Sequence, residues 1–362
     1  MTKNQYAAYR RYKRQRRIQK IIASVMIVVA LLTLPGAFYL DKVNLMDYSD
    51  GINLGDLTDG EDNVELDIDG LSYIDGGYGL PSGTPYSDKN VINILLLGTD
   101  DRTTDFSSNA RSDSMILVSV NTKEDTVKLV SFERGTGVPV LSGQYEGQWD
   151  WLTHCFRYGG ANLVLKEIQS AYLLDCTRYV RTNIKALVKI VDACGGVDIE
   201  LTQAEADYIN GNNEWKLIHV QESGEPERLQ TVSPGVNHLN GVTAMVYARC
   251  RKIDSDWGRM GRQRTLLTAL SNNIKGMSVK ELNNLLNDIL PLFQTNLTTT
   301  ELASLMLKVP GVLSNMDGIE TMALPADGTY GTMTGMGGRS LYAVNFEANV
   351  DILNEFLYDL DS

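Results

Sequence analysis

The chain is poor in the residues that build metal frameworks. Its 362 residues include only three histidines and four cysteines. No two cysteines stand at Cys-x-x-Cys spacing, and His154, His219 and His238 do not cluster with Cys155, Cys176, Cys194 and Cys250, which argues against zinc. An even cysteine count permits disulfides in an exported chain, but a body this large does not need them, so free and mostly buried thiols are expected. Base is also in deficit. Lys and Arg number 33 against 45 Asp and Glu, a formal net charge of −12. General nucleic-acid binding asks for a broad basic surface, so nucleic acid is excluded as a partner. No internal repeat is evident. Large apolar side chains are scarce over residues 44–90, which carry eleven acids against one base, Lys89. Such a stretch buries too little apolar surface to fold and reads as a flexible acidic stalk. Within it, Glu65-x-Asp67-x-Asp69-Gly70 begins like a calcium loop, but Gly76 stands at the closing position, which excludes an EF-hand.

Acid is absent from residues 1–20, which hold eight basic residues; residues 21–40 then carry no charge at all. Twenty apolar residues suffice for a helix to cross a bilayer. A basic flank stays in the cytoplasm, so the expected topology is single-pass in the cell membrane, N-terminus cytoplasmic and main domain extracellular. A cleavable signal peptide is the rival, but its apolar core is normally shorter, and no small-x-small site precedes Asp41. Pro35 kinks such a span without preventing it. The expected organisation is a basic tail (1–20), a transmembrane helix (21–40), a stalk (41–90) and one folded body (91–362).

That body reads as layered α/β. Apolar runs at 91–98, 114–120 and 126–132 predict strands, the last two separated by a polar turn. Helical patterns open at Gly159-Gly160 and recur over 184–191, 240–247, 261–275, 279–292, 300–307 and 344–360, with a further strand at 197–201. Strands mixed with many helices predict a central mixed sheet flanked by helices.

Charge gathers where strands end. Leu97-Gly98-Thr99-Asp100-Asp101-Arg102 puts two carboxylates just past a strand's C-terminal end, where crevices open in α/β sheets. Arg111-Ser112-Asp113 precedes the next strand, and Arg134 follows the third. Most telling is the stretch 248–264, with six basic residues, five of them Arg, in an acidic chain. Arginine's planar fork captures phosphate or carboxylate with two parallel donors. Arg249 and Arg251 point the same way if extended; Arg259 and Gln263 share a helix face. A solvated, salt-bridged helix start and ordinary turn acids are the plain alternatives. Carboxylates beside arginines instead suit Mg²⁺ with a phosphate group, because Mg²⁺ takes one or two carboxylates, waters and phosphate oxygens.

The motifs fall in a recognisable order. They are Asn93-Ile94-Leu95-Leu96-Leu97-Gly98-Thr99-Asp100, Arg111-Ser112-Asp113-Ser114, Ser131-Phe132-x-Arg134, and His154 followed by Tyr158-Gly159-Gly160. Val191-Asp192-Ala193-x-Gly195-Gly196-Val197-Asp198 and Leu239-Asn240-Gly241-x-x-Ala244 follow, then Arg249-x-Arg251, Asp256-x-Gly258-Arg259 and Arg262-Gln263. With this set the chain resembles the LytR-CpsA-Psr proteins, single-pass envelope proteins of mostly Gram-positive bacteria. The resemblance implies a phosphotransferase that moves a glycopolymer (teichoic acid, capsule or a related polysaccharide) from an undecaprenyl-pyrophosphate carrier to peptidoglycan. It implies that Asp100 or Asp101 with Asp113 holds Mg²⁺. It implies that Arg111, Arg134, Arg249, Arg251, Arg259, Arg262 and Gln263 hold the pyrophosphate, with Arg134, Arg249, Arg251 and Arg259 catalytic, and that the lipid tail enters an apolar cavity. The base stays open between Asp101, Asp254 and Asp256. The third motif, usually Pro-Arg-Asp, is Glu133-Arg134-Gly135 here, which keeps a non-catalytic binder of polyprenyl-pyrophosphate intermediates as the alternative. Transcriptional attenuation, a label the family has carried, does not fit an exported body without a DNA-binding motif. The arginines are expected to converge on one pocket from segments over a hundred residues apart.

Overall fold

The computed structural model describes residues 46–48, 79–101, 106, 110–251, 253–275, 277–305, 308 and 318–360. The expected membrane span, 21–40, lies outside these residues, as does most of the expected stalk. Among the described residues no helix is long and apolar enough to cross a membrane.

The strands are β1 (Asp47–Tyr48), β2 (Val91–Thr99), β3 (Ser112–Asn121), β4 (Thr126–Phe132), β5 (Gly137–Pro139), β6 (Trp149–Trp151), β7 (Arg178–Asn183), β8 (Val197–Leu201), β9 (Gly235–Leu239), β10 (Gln294–Thr295), β11 (Ile319–Leu324), β12 (Tyr330–Thr334) and β13 (Ser340–Val344). The α-helices are α1 (Leu152–Tyr172), α2 (Ile184–Ala193), α3 (Gln203–Asn210), α4 (Glu214–Glu222), α5 (Gly241–Ala248), α6 (Asp256–Lys275), α7 (Val279–Ile289) and α8 (Phe346–Tyr358), and residues 299–305 are also helical. Seven strands form a mixed sheet in the order β1-β10-β7-β2-β3-β4-β11. β2, β3 and β4 pair antiparallel, while β7 lies parallel to β2 and β11 parallel to β4. Asp47 and Tyr48, in the stretch read as stalk, add to one edge beside Gln294 and Thr295.

The pleat explains the layers. Side chains alternate across a strand, so an apolar strand serves two cores at once. Leu95 and Leu97 of β2, paired with Leu117 and Met115 of β3, face α1 and α8. Leu96 and Ile116, one residue out of step, face Leu267 of α6. A second core, built by α2, α5, α6 and the antiparallel pair β8–β9, stands on that side. All four cysteines are buried and free, as expected.

Several expected boundaries move. The helix expected to open at Gly159-Gly160 begins at Leu152 and is broken there instead. Gly160 holds φ 65°, a left-handed value that disfavours side chains, and a Cβ on Gly159 would lie 2.7 Å from the Leu163 Cβ. The helix expected over 261–275 starts at Asp256, and the one expected over 279–292 ends at Ile289, passing into a 3-10 turn, Leu290–Leu292. Pro291 has no N–H to continue the ladder. The strand β7, Arg-Tyr-Val-Arg-Thr-Asn, escapes the apolar pattern because its buried residues include Arg181 and Asn183. The helices α3 and α4 escape it too, since most of their residues are polar or exposed.

Candidate functional site

Strands β2, β3 and β4 bring their charged ends to one side of the sheet. Asp100 follows β2 and is locked to Arg111. The Arg111 backbone N–H donates to Asp100 Oδ1 at 2.7 Å, and its guanidinium Nε and Nη2 both reach Oδ2 at 3.1 Å. Asp113 lies inside β3. Arg134, just past β4, donates from Nη1 to Asp113 Oδ1 at 3.2 Å. Arg251 Nη2 stands 3.5 Å from the other oxygen of Asp113.

The helical side completes the ring. Arg249 ends α5, its Nη1 2.6 Å from Glu222 Oε2 at the end of α4. Arg251 continues beyond it, with its guanidinium 5.8 Å from the centre of the Trp215 ring. In α6, Asp256 joins two arginines: Arg134 Nε at 3.6 Å and Arg259 Nη2 at 3.4 Å. Gln263, one helical turn beyond Arg259, accepts a hydrogen bond from Ser114 Oγ at 3.0 Å. Arg111, Arg134, Arg249, Arg251, Arg259 and Gln263 thus gather, as do Asp100 and Asp113.

Two expected site residues do not join them. Asp101 is buried, and its Oδ2 accepts from Arg181 Nη2 at 2.8 Å and Thr99 Oγ1 at 2.5 Å. Successive residues leave a strand end in opposite directions, so Asp100 reaches the cavity while Asp101 meets the neighbouring strand β7. A buried charge needs a partner, and Arg181 supplies it. Arg262 is buried as well and donates to both oxygens of Asp254, at 2.7 and 2.9 Å, and to the Cys250 carbonyl at 2.9 Å. It stands one residue, about 100° of helix rotation, from Gln263 and faces away from the site. These contacts remove Arg262 from the pyrophosphate group and Asp101 from the rim. Asp101 and Asp254 face away from the ring, while Asp256 is on it, held by Arg134 and Arg259.

Behind the charged ring lies a cavity of about 270 Å³. Asp100, Asp113, Arg249 and Gln263 line its polar end; Leu96, Ile116, Val180, Leu187, Leu266 and Leu270 line the rest, between the sheet and helices α2 and α6. The expected two-toned pocket is present.

Acids of the site offset the arginine cluster. Burial pushes Asp113 up, but Arg134, Arg259, Arg251 and Arg111 together pull its carboxyl below the usual carboxylate value. Burial and the charge of Arg134 make protonation of Arg251 and Arg259 less favourable than usual. Among the described residues no group of three or more His, Cys, Asp or Glu forms a metal cage. Asp100 and Asp113 are nonetheless the right donor type and number for Mg²⁺ that also takes phosphate oxygens and water.

Sequence reasoning missed His219, Glu222, Trp215 and Glu133. The first three ride on α4, whose sequence carries no local sign of the site. His219 is buried, its Nδ1 without a partner among the described residues. Burial and Arg249, Arg251 and Arg259 lower its pKa from 6.5 to about 3, so it is neutral. His154, singled out as a motif residue, lies outside the cluster. Its Nδ1 pairs with the buried Asp150 at 2.9 Å, and Tyr158 donates to the same Asp150 oxygen at 2.5 Å. The glycine of the Leu-Asn-Gly motif has a packing role: a Cβ on Gly241 would lie 2.1 Å from the Val188 carbonyl oxygen, so α5 could not approach α2.

Comparison with known proteins agrees with this architecture. Biofilm regulatory protein A of Streptococcus mutans is 30% identical over 263 residues, 70% of this chain and 61% of that protein, so the chain spans under two thirds of that relative's length. The polyisoprenyl-teichoic acid–peptidoglycan teichoic acid transferase TagU of Bacillus anthracis is 28% identical over 256 residues, 68% of this chain and 73% of that protein. The crystal structure of protein gbs0355 from Streptococcus agalactiae superposes with a TM-score of 0.60 at 25% identity, covering 75% of this chain and 90% of that one. The LytR_cpsA_psr family matches residues 60–355. With that match over most of its length, and with a mixed sheet flanked by helices like that of the solved relative, the chain belongs to the LytR-CpsA-Psr family.

Proposed function

We propose that this protein is a membrane-anchored phosphotransferase that moves a glycopolymer from a polyprenyl-pyrophosphate carrier onto peptidoglycan. One observation carries the reading: in an acidic chain, Arg249 lines the polar end of an apolar cavity, and Arg111, Arg134 and Arg251 pair with Asp100 and Asp113 at that same end. A polyprenyl pyrophosphate has the same two parts, a tail that leaves water and a doubly charged head. Family membership and the name of the TagU relative support the same activity.

In the reaction, an acceptor sugar hydroxyl attacks the phosphorus that bears the polymer. The bond from that phosphorus to the bridging oxygen breaks, polyprenyl phosphate leaves with the electron pair, and the hydroxyl's proton passes to a carboxylate of the site. Charge builds on the equatorial and bridging oxygens, and donors already fixed there lower the barrier. Arg134, Arg251 and Arg259 meet that charge; Arg111, Arg249 and Gln263 orient the head group. Mg²⁺ would be held by Asp100 and Asp113 and would supply further neutralisation of the phosphate oxygens. Residues 21–40 serve as the anchor, with the folded body outside the cell. Protease added to intact protoplasts then removes the body, and full protection rejects this topology.

The activity test uses the full chain in liposomes, a polyprenyl-pyrophosphate-linked oligosaccharide and peptidoglycan fragments, and reads new phosphodiester linkages by mass spectrometry. Transfer supports the proposal. Tight donor binding with no transfer makes the protein a carrier of such intermediates instead.

A further inference from the structure

A second cavity, also about 270 Å³, opens beside the arginine ring. Glu133, Arg134, Trp151, Asp256, Thr332 and Tyr342 are among its lining residues. Arg134 and Asp256 belong to both the ring and this cavity, so the two cavities lie on either side of the Arg134–Asp113 pair. Glu133 is 1% exposed. Its Oε1 accepts the Gly135 backbone N–H at 3.2 Å, while Oε2 has no partner among the described residues. A buried carboxylate oxygen left without a donor is costly and marks a place where a donor arrives with a ligand. Phosphate brings no hydrogen to give; a hydroxyl does. The remaining walls fit a sugar: aromatic rings for its C–H face, and the Thr332 and Ser340 hydroxyls. The Tyr342 ring is held edge-on to Tyr330 at 5.2 Å, and Tyr330 stacks on Trp257 at 5.5 Å, so this wall is rigid.

In-line displacement decides which sugar belongs there. Attacking and leaving oxygens stand on opposite sides of phosphorus. The leaving prenyl phosphate trails into the apolar cavity on the Asp113 side, so the attacking hydroxyl comes from the Arg134–Asp256 side. We propose that this second cavity seats one saccharide ring of the peptidoglycan acceptor, with the Glu133 carboxylate turning from its buried position to accept a hydrogen bond from the attacking hydroxyl. This inference rests on the phosphotransferase reading and adds the acceptor site to it.

The test compares wild type with Glu133→Gln, Tyr342→Phe and Tyr342→Ala. Glutamine keeps the shape of Glu133 and the Gly135 contact but not the charge. In the transfer assay, Glu133→Gln raises the acceptor KM by about 10- to 100-fold, the range for losing a hydrogen bond to a charged group, and leaves the donor KM unchanged. Tyr342→Ala raises the acceptor KM and Tyr342→Phe does not. Saturation-transfer NMR with a lipid-free peptidoglycan disaccharide gives a signal on wild type that weakens in Glu133→Gln, at unchanged melting temperature. That measurement needs no catalysis, so it judges the cavity even if the protein transfers nothing. Unchanged acceptor KM and NMR signal in Glu133→Gln overturn the proposal while leaving the activity standing. Displacement of the peptidoglycan disaccharide by the donor's own lipid-free sugar phosphate, lost in Glu133→Gln, overturns the assignment to the acceptor.

Discussion

Arg134 grips Asp113 from beyond the neighbouring strand: its Nη1 lies 3.2 Å from Asp113 Oδ1, while its Nε faces Asp256 at 3.6 Å. One guanidinium therefore joins the sheet edge to helix α6 and separates the apolar cavity from the polar one. The charges of the arginines around it are offset by acids of the site itself.

Replacing Asp113 should separate those two effects. Asp113→Asn removes a negative charge from among Arg134, Arg251 and Arg259, so inorganic pyrophosphate binds roughly tenfold more tightly without metal. The same change removes one of two carboxylates for Mg²⁺, so any gain in pyrophosphate affinity on adding Mg²⁺ disappears. Calorimetric titrations with and without Mg²⁺ measure both. Equal Mg²⁺ enhancement in wild type and variant rejects Asp113 as a ligand.

Arg249 and Arg251 should part company on stability. Arg251→Ala lowers transfer by about 100-fold, the scale for losing one preorganised donor to transition-state charge, and barely moves the melting temperature. Arg249→Ala lowers transfer too, but it also removes the guanidinium that pairs with Glu222, whose side chain is 13% exposed, and costs about 1 kcal/mol of stability. Denaturant melts beside transfer rates check the pair. Equal stability losses would contradict the Arg249–Glu222 link.

His219 should set part of the acid limit of stability. Its folded pKa, about 3, lies below the ordinary 6.5, so between these values the unfolded chain binds the proton and the folded one does not. Above pH 6.5 the residue has no effect. As pH falls from 6.5 toward 3, the folded state loses about 1.4 kcal/mol per unit from this group. Denaturant melts at pH 7 and pH 5 should show a smaller acid-side loss for His219→Gln than for wild type. The same loss in both would place the acid sensitivity elsewhere.

Much of the frame was legible because it is local. The strands β2, β3 and β4 follow from apolar runs and a polar turn between them, and the whole 126–132 expectation coincides with β4. Helix ends were less legible where tertiary packing competes. Gly159 and Gly160 look like a helix start, yet they interrupt a helix whose first turns pack Leu152 and Phe156 into the core. Nothing periodic marks β7, since its buried Arg181 is neutralised by Asp101 of another segment.

The sequence by itself determined the chemical inventory: an acidic chain with its arginines concentrated in a few motifs, and apolar runs for a central sheet. Residue type and spacing dictate which groups exist and which share a face. The tertiary structure decided which of those groups work together. Asp100 reaches the cavity and Asp101 does not, because adjacent residues leave a strand in opposite directions and only one direction meets Arg181. Arg262 drops out of the cluster because Asp254 and the Cys250 carbonyl take its donors. His219, Glu222 and Glu133 enter because folding brings them beside arginines from other segments. Charge compensation and burial depend on distances between remote segments, and no local pattern encodes those distances.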